Sequence, residues 1–347
     1  MYSFLRPNSH PHSWLNITPA IAFIKNWTLP ISILSGIAAY FIYVNIPYLD
    51  STHGFVNELI GIVQPLLIFS MLFLTFLTIG PHDLRLRPWH FILVAIQLAL
   101  FALIAFGLSY VANDGVRIIL ESAMLCLLCP TATAAAVVTR KLEGSAADIT
   151  AYTIFINLSI AVTAPALLPI AHPMPDMGFV STFMLIVGKV FPLLICPLIL
   201  AWIIRKYSPS LMNVLTRYKD LPFYLWAVAL ALAIGVTVKA IMHSDIAPVY
   251  FIGIVIVTLL CCMLQFTAGK IIGRRYGQHI EGGQALGQKN TVFIIWLGYT
   301  FLSPVSAMAG GLYSVWHNIY NSWQLYNHRK HEKSEVEASD VDMPVKK

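Results

Sequence analysis

The chain has 347 residues, 58% of them hydrophobic and 11% charged, with a formal net charge of +6 and a mean hydropathy of +0.73. Water-soluble chains carry roughly a quarter charged residues to cover their exterior, so an ordinary soluble domain is excluded. Apolar runs of 18 residues or more recur instead, the length that crosses about 30 Å of hydrocarbon. Repeated crossing without barrel closure requires helices, which satisfy their own backbone groups.

The first apolar run begins near Trp27, after a polar opening with Asn8, His10 and His12. It lies too far in, and is too long, for a signal-peptide core. Ten spans are predicted, near 27–47, 56–80, 89–111, 117–139, 148–171, 180–204, 222–242, 248–272, 284–303 and 305–326. Short connections rich in Pro, Gly, Asn and Asp separate them, among them Asn113-Asp114-Gly115 and the loop after His172. The expected class is thus all-α: residues 1–26 a cytoplasmic N-terminal segment, 27–326 a ten-helix domain, and 327–347 a charged, disordered cytoplasmic tail.

Lysine and arginine orient these spans. One side collects thirteen, from Arg6, Lys25, Arg85 and Arg87 through Arg140, Lys141, Arg205 and Lys206 to Arg274 and Arg275, and the tail adds five. The other side holds Arg117 and Lys239. By the positive-inside rule both termini are cytoplasmic in a multi-pass inner-membrane protein. The net charge is therefore topological and does not point to nucleic acid. Cys126 and Cys129 have metal-ligand spacing, but no second pair or nearby histidine completes a site, and packing is the better reading. No phosphate-binding G-x-x-x-x-G-K-[ST] or zinc-binding H-E-x-x-H occurs, and an enzyme is not expected.

Ten spans divide into two sets of five, and the fourth of each set is interrupted. Span four contains Cys129-Pro130-Thr131-Ala132-Thr133, and span nine opens with Gly282-Gly283-Gln284 and runs to Gly287-Gln288-Lys289-Asn290-Thr291. Paired interruptions at corresponding positions point to a transporter's binding site, and an odd number of spans per half makes the repeats inverted.

Within these stretches Lys289 stands out, because an ionisable group at membrane depth is expensive and normally faces a cavity or partner. Asn290 follows it. Thr131 and Thr133 could supplement backbone N–H groups freed by the break, or back-bond to the preceding turn. Gln97, mid-way in span three, is either a cavity ligand or an interhelical bond. Thr153 and Asn157 share a face of span five. Glu121 follows Arg117 by one turn, adequate for a local pair. Lys189 reads as snorkelling and His317 as an interfacial or hydrogen-bonding histidine near a helix end.

Three stretches resemble the bile acid:sodium symporter superfamily. Cys129 to Thr139 with Gly144 is similar to its C-P-G-G-T-x-S-N-x-x-T segment, and Gly287 to Thr291 to its G-x-Q-N-[ST] core. Pro304 to Ile319, with Tyr313-Ser314-Val315-Trp316-His317-Asn318, is similar to its closing P-x-x-A-x-P-G-x-x-[FY]-S-x-W-H-N segment. The resemblance implies a panel of spans one, two, six and seven beside a core of three to five and eight to ten. Spans four and nine would cross at unwound centres, with two sodium sites behind them, and the substrates would be small or amphipathic organic anions.

The departures fall on the sodium ligands. The family's serine and asparagine of span four match Ala135 and Ala136, and its glutamate and glutamine of span nine match Ala285 and Lys289. A serine of span five matches Ile149, whereas Thr153 and Gln97 keep the family's residues; a one-residue slip would restore a glutamine at Gln288 but break the Gly287 and Asn290 matches. A methyl group cannot ligate sodium. An ammonium 4 Å away repels it by roughly 4 kcal/mol at an effective dielectric near 20, about a thousandfold in affinity. The expectation is a secondary transporter of an organic anion without classical two-sodium coupling. The Lys289 ammonium would take sodium's place or cycle a proton, and no cofactor is expected. A receptor or scaffold that binds ligand without flux is the alternative.

Overall fold

The computed structural model describes residues 19–80, 84–174, 176–218 and 221–341. Among these the regular structure is helical, apart from a single antiparallel bridge between Thr131 and Lys289. In chain order α1 (Pro19–Val44), a 3-10 turn (Pro47–Thr52), α2 (His53–Leu77) and α3 (Pro88–Leu108) lead to a broken pair, α4 (Asp114–Leu128) and α5 (Ala135–Lys141). Then come α6 (Ala146–Ala171), α7 (Phe179–Leu194), α8 (Cys196–Tyr207), α9 (Pro209–Arg217), α10 (Leu221–Met242) and α11 (Pro248–Arg274). A second broken pair, α12 (His279–Gly287) and α13 (Thr291–Phe301), precedes the long α14 (Pro304–Val341).

Among the described residues six segments are long and apolar enough to cross a membrane: Pro47–Leu77, Pro88–Leu108, Ala146–Ala171, Phe179–Tyr207, Leu221–Met242 and Pro248–Arg274. The protein is a polytopic integral membrane protein.

Local chemistry sets the helix ends. Proline occupies the first turn of α3 and α11, where its missing N–H costs nothing. The side chains of Asn113, Ser145 and Asn290 accept hydrogen bonds from Val116, Asp148 and Phe293 N–H groups at the starts of α4, α6 and α13. α7 and α8 form one bent element, with Pro192 and Pro197 flanking the bend.

Small residues carry the closest packing, as in other membrane bundles. Gly269 and Gly273 of α11 meet Gly282 and the start of α12 so tightly that a Cβ on any of the three would strike the facing backbone. Gly36 similarly sets α1 on the Ala231 carbonyl of α10, and Gly310 sets α14 against Ile295 of α13.

Two expectations change. Helix α14 continues to Val341, through most of the segment 327–347 expected to be disordered. Extending an existing helix avoids the nucleation penalty, and the Glu, Lys and Ala residues there are good helix formers. The final residues 342–347 and most of the N-terminal segment 1–26 lie outside the described residues. Between spans six and seven, expected as plain connection, the chain makes α9, which buries no residue and exposes Leu211 and Val214.

Candidate functional site

The two broken helices meet at their breaks. The Ala132 N–H donates to the Gln288 carbonyl (2.8 Å), and the Asn290 N–H donates to the Pro130 carbonyl (3.0 Å). These two bonds frame the Thr131–Lys289 bridge. The unwound backbone of each helix thus satisfies the other, which resolves the cost of breaking a helix in a dry interior. Cys129 Sγ adds a third link, donating to the Asn290 carbonyl at 2.9 Å, and the Thr131 hydroxyl donates to the Ala285 carbonyl.

Neighbouring helices brace this crossing. Gln97 of α3 donates through Nε2 to the Cys129 carbonyl (2.8 Å), one of the orphan acceptors at the end of α4. Gln265 of α11 donates to the Cys126 carbonyl (3.3 Å) and to the Tyr313 hydroxyl (3.2 Å), which itself donates to the Gly287 carbonyl (2.8 Å). Gln97 and Gln265 also line a cavity of about 100 Å³ between α3, α4, α11 and α12, otherwise walled by Ile96, Leu100, Leu127, Leu264, Ala268 and Leu286. The Oε1 atoms of both glutamines are buried without a hydrogen-bond partner.

Lys289 lies at the centre, 1% exposed, its Nζ without a hydrogen-bond partner. Its electrostatic neighbours are the thiols of Cys126, Cys129 and Cys261. A charged ammonium at this depth costs roughly 2.5–3.5 kcal/mol on membrane-insertion scales. The side chain is enclosed and does not reach the membrane surface.

The other predicted residues divide by role. Thr131, Gln97, Gln288 and Asn290 all join the crossing, but Thr131 and Gln97 spend their donors on backbone carbonyls. Gln288 contributes its backbone, and its side-chain Oε1 is buried without a partner. Thr133 is half-buried at the break. Thr153 donates back to the Ile149 carbonyl and Asn157 to the Thr153 carbonyl, so this pair serves α6 itself and leaves Asn157 Oδ1 unpaired.

Two polar networks escaped the sequence reading. At the basic end, Asp148 in the first turn of α6 binds Arg87 Nε (2.8 Å) and Gln278 Nε2 (2.6 Å), while the Gln278 Oε1 accepts from the Trp89 indole. Donating this hydrogen bond to the Asp148 carboxylate raises the Arg87 pKa above its ordinary value. Beside it, Glu281 Oε1 accepts from the Ser145 N–H at 2.6 Å. These bonds tie the starts of α3, α6 and α12. At the opposite end, Glu121 pairs with Arg117 (3.3 Å) as its spacing predicts, but also with His172 (3.0 Å) and the Ser306 hydroxyl (2.6 Å). It therefore joins α4 to α6 and α14. The signal available was the presence of acidic residues at span ends; their partners are remote in sequence and left no local trace. His317, expected to be an interfacial or hydrogen-bonding residue near a helix end, is 3% exposed with its ring against Tyr313.

No family model matches the chain. It is similar to a Bacillus subtilis (strain 168) protein named as the uncharacterized sodium-dependent transporter YocS. The two are 25% identical over 253 residues, covering 69% of this chain and 74% of the relative. The similarity and the multi-span helical architecture support a transporter. They favour transport over enzymatic chemistry.

Proposed function

We propose that this protein is a secondary transporter that moves a small organic anion by alternating access, with Lys289 in place of a sodium ligand. The observation that carries the reading is the mutual backbone bridge between two interrupted helices, closed around a buried ammonium. Counting α4/α5, α7/α8 and α12/α13 as single spans, and adding α1, α2, α3, α6, α10, α11 and α14, gives ten spans in two inverted sets of five. The sequence and charge asymmetry support that count and a cytoplasmic position for both termini.

Packing supports a two-body mechanism. Helix α13 packs on α2 and α10, and the Tyr299 hydroxyl donates to the Val236 carbonyl at 3.0 Å. Its counterpart α5 packs chiefly on α6 and α12. The panel is thus apposed to one half of the crossing and set back from the other, an arrangement that suits access from the basic side.

The methyl groups of Ala135 and Ala285 are buried at positions where the resemblance calls for sodium-ligating oxygens. The relative's name nevertheless makes sodium the first gradient to vary. Counterflow of pyruvate and taurocholate in proteoliposomes, with sodium and pH gradients imposed separately, tests the reading. Uptake indifferent to sodium, dependent on pH and lost in Lys289→Gln is expected. Steep sodium dependence would overturn the coupling assignment, and ligand binding without flux would indicate a receptor.

A further inference from the structure

A lysine enclosed at the crossing can take part in proton coupling when protons reach it. We propose that the face of α14 carrying Tyr313, His317, Asn321 and Gln324 is a proton path joining Lys289 to the basic end of the bundle. This rests on the lysine-centred coupling proposed above and names the groups that would serve it.

The residues recur at intervals of four, four and three, which places them on one face of the helix. Contacts join Tyr313 to His317 and Asn321 to Gln324, and one helical turn separates the two pairs. Near Lys289, the Tyr313 hydroxyl bonds to the Gly287 carbonyl and to Gln265, which reaches back to Cys126 and Cys261. Cys126 and Cys261 are two of the three thiols close enough to Lys289 to act on it electrostatically. One turn along, the His317 ring stands edge-on to Tyr313 with centroids 5.6 Å apart. Beyond it, Asn321 Oδ1 accepts from Gln284 of α12 (2.8 Å) and from Gln324 (3.2 Å). Gln324 is 9% exposed. Just past it, His328 comes within 3.9 Å of Glu143, beside Arg140 and Lys141.

A structural file of hydrogen bonds would pair its members. Here Lys289 Nζ, His317 Nδ1, Gln284 Oε1 and Asn321 Nδ2 are all buried without partners. Such groups are costly to leave unpaired in a dry interior, and a succession of them along one helix face suits water molecules in file. Amides do not carry a proton themselves; Gln284, Asn321 and Gln324 would hold the water that does. The imidazole of His317 is the group able to relay, accepting a proton on Nδ1 and releasing one from its other ring nitrogen to the Tyr313 hydroxyl, which gives up its own proton through water to the Lys289 amine. The net change is a proton taken from water at the basic end and an ammonium formed at Lys289. Among the described residues no charged side chain acts on His317, and its titratable neighbour is Tyr313; the thiols that act electrostatically on Lys289 are Cys126 of α4, Cys129 just past its end and Cys261 of α11.

Stopped-flow proton uptake after a downward pH jump, followed with an indicator dye on the full-length protein in detergent, tests this without a transported substrate. The difference between wild type and Lys289→Gln isolates the proton taken by Lys289. His317→Leu and Asn321→Leu, made separately, should leave that proton in the count but slow its arrival about tenfold. Unchanged rates in both variants would overturn the path. If Lys289→Gln takes up as many protons as wild type, Lys289 does not titrate, and the coupling reading fails together with the path. Rates lowered in both variants, with the count preserved, would establish it.

Discussion

Asp148 and Lys289 are both charged and both nearly enclosed, yet the chain treats them differently. Asp148 sits in the first turn of α6, where the helix dipole favours an anion, and each of its oxygens has a partner, Arg87 on one side and Gln278 on the other. Removing it strands a glutamine and an arginine. Asp148→Ala should therefore lower stability by about 1–3 kcal/mol, read as an earlier thermal transition in detergent. Asp148→Asn, which keeps an acceptor, should lose less. Lys289 has no comparable partner, and a group held at such cost is a functional group by default. Lys289→Gln should fold at least as well as wild type while counterflow collapses. Lysine at this depth was legible in the sequence because hydropathy makes it conspicuous. Asp148 and Glu281 were not, because acidic residues at span ends look solvated until α3, α6 and α12 are brought together.

Helix α12 is short and polar by membrane standards, and it is held chiefly by α11. Contact between the two depends on Gly269, Gly273 and Gly282, whose Cα atoms lie against facing backbone. A valine at Gly269 would have to displace the Gly282 carbonyl. Overpacking of this kind costs about 1–3 kcal/mol, so Gly269→Val should lower the melting temperature and weaken transport together, since α12 carries half of the crossing. The interruptions themselves were readable from Pro130 and from the Gly- and Gln-rich start of span nine. Their register was not: nothing local distinguishes Thr131 opposite Lys289 from a pairing one residue away. Where composition argued for a disordered tail, α14 simply continues, because a helix already nucleated in the bundle extends through Glu, Lys and Ala at little cost.

At the scale of the molecule, the unequal packing of α13 and α5 predicts which face admits water. Val137 on α5 is 51% exposed, whereas Tyr299 on α13 is tied to α10. In vesicles of known sidedness, Val137→Cys should react with a membrane-impermeant maleimide from the cytoplasmic face. Tyr299→Cys should stay unlabelled from the opposite face. Substrate that drives the carrier to its other state should reverse the pattern. Labelling of Val137→Cys from the outer face alone would contradict the orientation drawn from the basic residues.

By itself the sequence determined that this chain lives in a membrane, where its apolar runs lie, which two spans are interrupted and that an ammonium lies within one of them. Each of these follows from sums over neighbouring residues: hydropathy across a window, charge in a loop, a proline or glycine in a helix. Only the tertiary structure decided that the two interruptions satisfy each other's backbone, that Thr131 and Gln97 brace carbonyls, and that Asp148, Glu121 and His317 have the surroundings they do. Those are pairings between atoms far apart along the chain. Their energies depend on distance and desolvation, which come into being when the helices pack.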